Sequence, residues 1–269
     1  MSGFTPRAYE SYNRYFGWAD VEKGPKGSKI VLGLYPLEEG RINHMEEALG
    51  NAPEIEKLDT LMRVVIEKSK ALSNVTLEAE EYYDKEDYKD DDFAKGETLH
   101  KSLLEAFNEY FSANDEMKVE FLVLKEELFE YEIDKLKKNG LITQYNIQMN
   151  MHHAEAILDL LGNLDVSELK SLDVKKYDTQ MTKFQTTYDD IEKLAKDTNQ
   201  IKKEYGDNFY MEYITDYIYE SRDFIRETKR LKTRIEKSDF EVSRGSDNGT
   251  PKKIHAVYSQ MVNMYNRMQ

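Results

Sequence analysis

Residues 55–82 read IEKLDTLMRVVIEKSKALSNVTLEAEEY. Ile55, Leu58, Met62, Val65, Ser69, Leu72, Thr76, Ala79 and Tyr82 alternate spacings of three and four. Side chains at those spacings share one face of an α-helix, so this run is the seam of a helix packed along its length. The same spacing returns after an acidic joint, through Leu99, Leu103, Ala106 and Tyr110 to Met117, Phe121, Leu124, Leu128 and Tyr131. Asn114-Asp115 marks a possible kink, and Asn139-Gly140 is a plain helix stop.

Further along, Ile142, Tyr145, Met149, Ala156 and Leu160 predict a shorter helix ending near Gly162. Val174, Tyr177, Met181, Phe184, Tyr188, Ile191, Ala195 and Thr198 predict another, unbroken to Tyr205-Gly206. Tyr210, Ile214, Tyr217, Ser221, Phe224, Thr228, Leu231 and Ile235 predict a third. A polar loop, Ser243 to Thr250, precedes Pro251, which is placed to open a last helix through Ile254, Val257, Met261 and Tyr265. Toward the N-terminus, Pro6 starts a short helix stopped by Gly17, residues 18–29 read as a loop, and Ile30 to Leu37 are helical or extended.

Nothing alternates with period two for long, so no sheet is required. The expected fold is all-α, an elongated bundle of long antiparallel helices forming one domain over residues 1–269, with loops near 18–29 and 243–250. Second apolar rows (Leu122, Phe129, Ile133 and Leu136; Met211, Ile218 and Ile225) place these helices inside a multi-helix core. The 19 tyrosines of the chain put several hydroxyls on the apolar stripes, where each needs a partner or a place at a wet rim.

The net charge is -14, from 52 acids against 38 bases. A field of that sign repels phosphate backbones and anionic headgroups, so nucleic acid and an anionic membrane surface are not expected partners. With no cysteine there is no disulfide, thiol nucleophile or thiolate metal site. No apolar run reaches the roughly 18 residues of a membrane span, and the N-terminus has no signal-peptide core. The chain therefore reads as cytosolic or as a processed or trimmed form.

Two clusters could carry chemistry. The joint contains Asp84, Asp87, Asp90, Asp91 and Asp92. One of the last three is expected to cap the helix entered at Phe93, because an Asp carboxylate accepts bonds from unpaired first-turn N–H groups. The alternative is a calcium site. An EF-hand loop is excluded, since the sixth position from Asp84 is Lys89 and not glycine, which leaves an irregular site. The second cluster is His152, His153 and Glu155. Adjacent helical residues point about 100° apart, whereas paired zinc ligands sit four apart, so these histidines read first as core or rim residues and second as metal ligands. Nucleophile-elbow and phosphate-loop motifs are absent from the sequence. No cofactor and no catalytic residue is predicted, and the chain leans away from being an enzyme.

Tyr9-Glu-Ser-Tyr12-Asn13 near the start has a counterpart in Tyr258 to Tyr265-Asn266 at the end, either as two helices lying side by side or as coincidence in a Tyr-rich chain. Those helices, with Tyr82-Tyr83-Asp84 and Asp87 to Gly96 leading into Leu99-His100, resemble the YiiG-like family of bacterial lipoproteins, whose function is unknown. The resemblance implies an all-helical extracytoplasmic domain of the bacterial cell envelope, tethered by an N-terminal lipid, and it transfers no catalytic residue. This sequence lacks the signal and the acylated cysteine of that pattern; trimming would explain both, with Met1-Ser2-Gly3 as a vector remnant. Three functions are then expected to compete: a binding or structural module facing a protein or cell-envelope partner, a metal-binding protein or metal-dependent enzyme, and a carrier of lipid or another small ligand.

Overall fold

The computed structural model describes residues 3–38, 40–51, 53–207, 209, 211–241 and 247–268. Met1, Ser2, Tyr210 and Ser243 to Ser246, which figure in the readings above, lie outside the described residues. The helices are α1 (Phe4–Phe16), α2 (Gly40–Leu49), α3 (Glu56–Asp84), α4 (Ala94–Lys138), α5 (Ile142–Leu161), α6 (Val174–Leu194), α7 (Thr198–Tyr205), α8 (Met211–Glu236) and α9 (Pro251–Arg267), with short 3-10 turns at Asp87–Lys89 and Val166–Ser171. Among the described residues there is no strand, only an isolated bridge between Asp20 and Gly24. The fold is all-α.

The apolar residues gather into two cores, and the chain divides into two compact units, Met1–Glu127 and Leu128–Gln269. The division falls inside α4. Its stripe is buried up to Met117, while Val119, Phe121, Leu122, Val123, Leu128 and Tyr131 are exposed. A helical stripe thus predicts which residues can be buried, not whether a neighbour covers them all.

In the first unit the ion pairs Lys95–Glu78 (2.9 Å) and Lys68–Glu109 (3.1 Å), with Lys57–Glu120, run in opposite order along α3 and α4. The two helices are therefore antiparallel. α1 lies against α4 through an aromatic layer: Phe4 on Tyr110, Tyr12 on Phe107 and Tyr9 on Phe111. Residues 30–38 form neither helix nor strand, and Gly33 takes a φ of 62°. Their backbone is satisfied by side chains of the flanking helices, since Ser11 and Ser73 donate to the carbonyls of Tyr35 and Leu37, and Leu37 N–H donates to Thr76 (3.2 Å). Helix α2, which the sequence reading missed, buries Ile42 and Met45.

In the second unit α5 pairs with α6 and α8 with α9, and the two pairs close into a four-helix bundle through α5–α9 and α6–α8 contacts. The helix expected to run unbroken from Val174 to Tyr205 is two helices. The Asp197 carboxylate takes the N–H groups of Asn199 and Gln200 (3.1 Å each), which starts α7 afresh after α6 ends. Asn150, wholly buried on α5, donates to the Phe184 carbonyl (2.9 Å) and Thr187 Oγ1 (2.8 Å) and accepts from Tyr217 Oη (2.8 Å), so one amide joins α5, α6 and α8.

The tyrosines lie deeper than a rim. Tyr15, Tyr82, Tyr110, Tyr177 and Tyr217 are fully buried, and each hydroxyl has a partner. The Tyr-Asn helices, α1 and α9, bury their stripes in the cores of their own units, and Asn13 and Asn266 are exposed. No described helix is long and apolar enough to cross a membrane.

Candidate functional site

At the acidic joint the chain must reverse between α3 and α4. It does so with Glu86, Asp92 and Phe93 at positive φ (60°, 52° and 65°), and Phe93 stacks on Tyr88. Asp91 is the capping residue among the three expected. Its Oδ2 accepts the Lys95 N–H (2.9 Å) and its Oδ1 accepts from the buried Tyr82 hydroxyl (2.7 Å). These bonds, the backbone one first, hold the Asp91 carboxyl below its usual range. Burial and the neighbouring Asp91 carboxylate push the Tyr82 phenol up. Gly96 lets Tyr82 come this close: a Cβ there would stand 3.2 Å from the ring. Asp92 turns away to Lys26 (2.7 Å), while Asp84 ends α3 and Asp87 opens the 3-10 turn. Asp90 follows that turn on the surface.

Just beyond, the buried His100 bridges α1 and the loop after it. A carbonyl can only accept, so His100 Nε2 donates to Val21 O (3.0 Å). Nδ1 then accepts from Tyr15 Oη (3.2 Å), and Tyr83 Oη donates to Tyr15 Oη (3.2 Å). Burial raises the Tyr15 phenol to about 12.

The two histidine rings meet edge to face, with centroids 5.6 Å apart. His152 stacks on Phe129, with centroids 4.4 Å apart, and its ring stands at 68° to that of His153. His153 is only 7% exposed, and its Nδ1 has no hydrogen-bond partner among the described residues. Burial first, then the nearby His152 and Lys183, lowers its pKa to about 4, so it is neutral at pH 7. Glu155 accepts from Tyr258 Oη (3.0 Å). Among the described residues no three His, Asp or Glu side chains converge on a point where an ion could sit.

The sequence reading missed an open groove in the second unit between α6 and α8. These helices are antiparallel there, as Lys232–Asp178 (2.8 Å) and Arg222–Glu192 (2.9 Å) fix. The groove holds about 550 Å³. Ile157, Phe184 and Ile225 lie beneath it, Thr182 and Asp189 belong to its α6 wall, and Lys229 to its α8 wall. An apolar floor with a few convergent polar groups is what a small-ligand or peptide site needs. It differs from the enclosed apolar cavity that a lipid carrier requires. Single-helix periodicity could not reveal it, because it depends on how far two helices stand apart.

A family model described as a protein of unknown function (DUF3829) matches residues 4–267. The chain belongs to that family. Over 100 residues it is 36% identical to the uncharacterized protein YiiG of Escherichia coli (strain K12), a match covering 35% of this chain and 28% of that protein. The resemblance read from the joint and the terminal helices thus holds at the level of a YiiG-like family. No solved structure matches the chain.

Proposed function

We propose that this chain is a binding or structural module of the bacterial cell envelope, lying outside the cytoplasm and taking its partner in the α6/α8 groove. The observation that carries the proposal is the groove itself, an open apolar floor between walls bearing both charge signs. Three of the titratable groups picked out from the sequence are engaged elsewhere: Asp91 caps α4, Asp92 pairs with Lys26, and Glu155 holds Tyr258. The resemblance to bacterial lipoproteins supports the envelope location and a lipid tether ahead of α1.

The test is co-sedimentation of the purified protein with isolated envelope fragments. The wild-type chain is expected to sediment with them. Ile225→Glu, which puts a charge on the groove floor, is expected to stay in solution with its helical circular dichroism intact. Equal sedimentation of both proteins, or of neither, would refute the assignment.

A further inference from the structure

We infer that the α6/α8 groove takes a short extended peptide with a free amino and a free carboxyl end. This inference rests on the groove being the binding site. It begins with the charges. Asp178 and Lys232 face each other at 2.8 Å and neutralise one another. Among the described residues Lys229 has no ion-pair partner, and neither does Asp189, whose carboxylate is held in place by the Gln185 amide (2.8 Å). The groove therefore presents one uncompensated cation and one uncompensated anion.

Their separation follows from the register. The Asp178–Lys232 pair on antiparallel helices sets Lys229 opposite Met181, and the Arg222–Glu192 pair sets it opposite Gln185. From those positions to Asp189 is eight or four residues of α6, or about 6–12 Å along the helix axis at the α-helical rise of about 1.5 Å per residue. An extended peptide covers about 3.3–3.6 Å per residue, so up to about four residues span that length between a carboxylate at Lys229 and an ammonium at Asp189.

The walls suit a peptide backbone. Thr182 and Thr186, both exposed on α6, donate their hydroxyl protons to the carbonyls of Asp178 (2.9 Å) and Thr182 (3.0 Å). Each oxygen keeps acceptor capacity for a peptide N–H. The apolar floor takes small aliphatic side chains. A polyanion would meet Asp178 and Asp189, and a plain hydrocarbon would strand the lysines and carboxylates, so neither uses this set of groups as well.

The probe is tetra-alanine with free termini, titrated into the protein while the methyl resonances of Ile157, Thr182, Ile225 and Thr228 are followed by NMR. These methyls are expected to shift saturably, and the acetylated, amidated peptide is expected to bind at least about fivefold more weakly. Lys229→Glu and Asp189→Asn should each weaken the free peptide by about fivefold while leaving the melting temperature within a few degrees. Equal affinity for free and capped peptides, no binding, or shifts confined to other methyls would overturn the inference. If tetra-alanine fails while envelope co-sedimentation still depends on Ile225, the ligand class is wrong and the groove assignment stands. If both fail, both fall.

Discussion

Lowering the pH should destabilise the second unit through one buried imidazole. His153 titrates at about 4 in the folded chain against an ordinary 6.5. In the unfolded chain it therefore takes up a proton at a higher pH than in the fold. Its contribution to stability is fully present above about pH 6.5 and is lost as pH falls from there toward 4. A gap from 6.5 to about 4, at about 1.4 kcal/mol per pKa unit, removes about 3 kcal/mol across that window. That is a large share of a typical domain's stability.

Other groups titrate over the same range, so the quantity to follow is a difference. Urea unfolding of the wild type and of His153→Leu would be compared from pH 7.5 to pH 4, with amide hydrogen exchange in α5 and α6 reporting on the second unit. The wild type should lose stability relative to the variant as pH falls, with the difference changing by about 3 kcal/mol. Parallel curves for the two proteins would refute the claim that His153 is held neutral by burial.

Asp91→Ala removes both the α4 cap and the Tyr82 partner and should cost about 1–2 kcal/mol, whereas Asp90→Ala should stay within about 0.5; thermal melts of the pair test this. Asn150→Leu strands the buried Tyr217 hydroxyl and should cost about 2–3 kcal/mol, with faster hydrogen exchange in α8, and it would count against the three-helix link if it were neutral. Excess calcium or zinc should leave the melting temperature unchanged, because Asp91 and Asp92 are already engaged and no three His, Asp or Glu side chains converge among the described residues. A rise of several degrees with either metal would revive the metal-binding reading.

The helices were legible because their stripes are long: Ile55 to Tyr82 is α3 within one or two residues, and Pro251 opens α9. The joint was also legible, since an Asp run ahead of a helix is a local signal. Local signals were present but unused at Asp197, whose cap splits the predicted Val174–Tyr205 helix, and at Asp165-x-x-Glu168, a capping box that starts the Val166–Ser171 turn. What lay beyond the sequence was tertiary. The stripe of α4 looks the same on both sides of Met117, yet it is buried on one side and exposed on the other. A continuous pattern reads as one bundle, but periodicity counts faces and not cores, and the buried apolar residues gather into two clusters. Glu204 is a further case. It accepts the first N–H groups of α5, from Thr143 and Gln144 (2.8 Å each), some 60 residues away, and nothing near it in sequence announces that role.

The chain has no native cysteine, so a single introduced thiol reports on one place. The most direct measurement uses Thr182→Cys in the groove and Lys137→Cys at the end of α4, each treated in living cells with a short bifunctional maleimide–photoreactive crosslinker. A groove-dependent envelope module predicts an adduct with an envelope component from position 182 that Ile225→Glu abolishes, and none from position 137. Identical adducts from both positions, or none from 182, would contradict it.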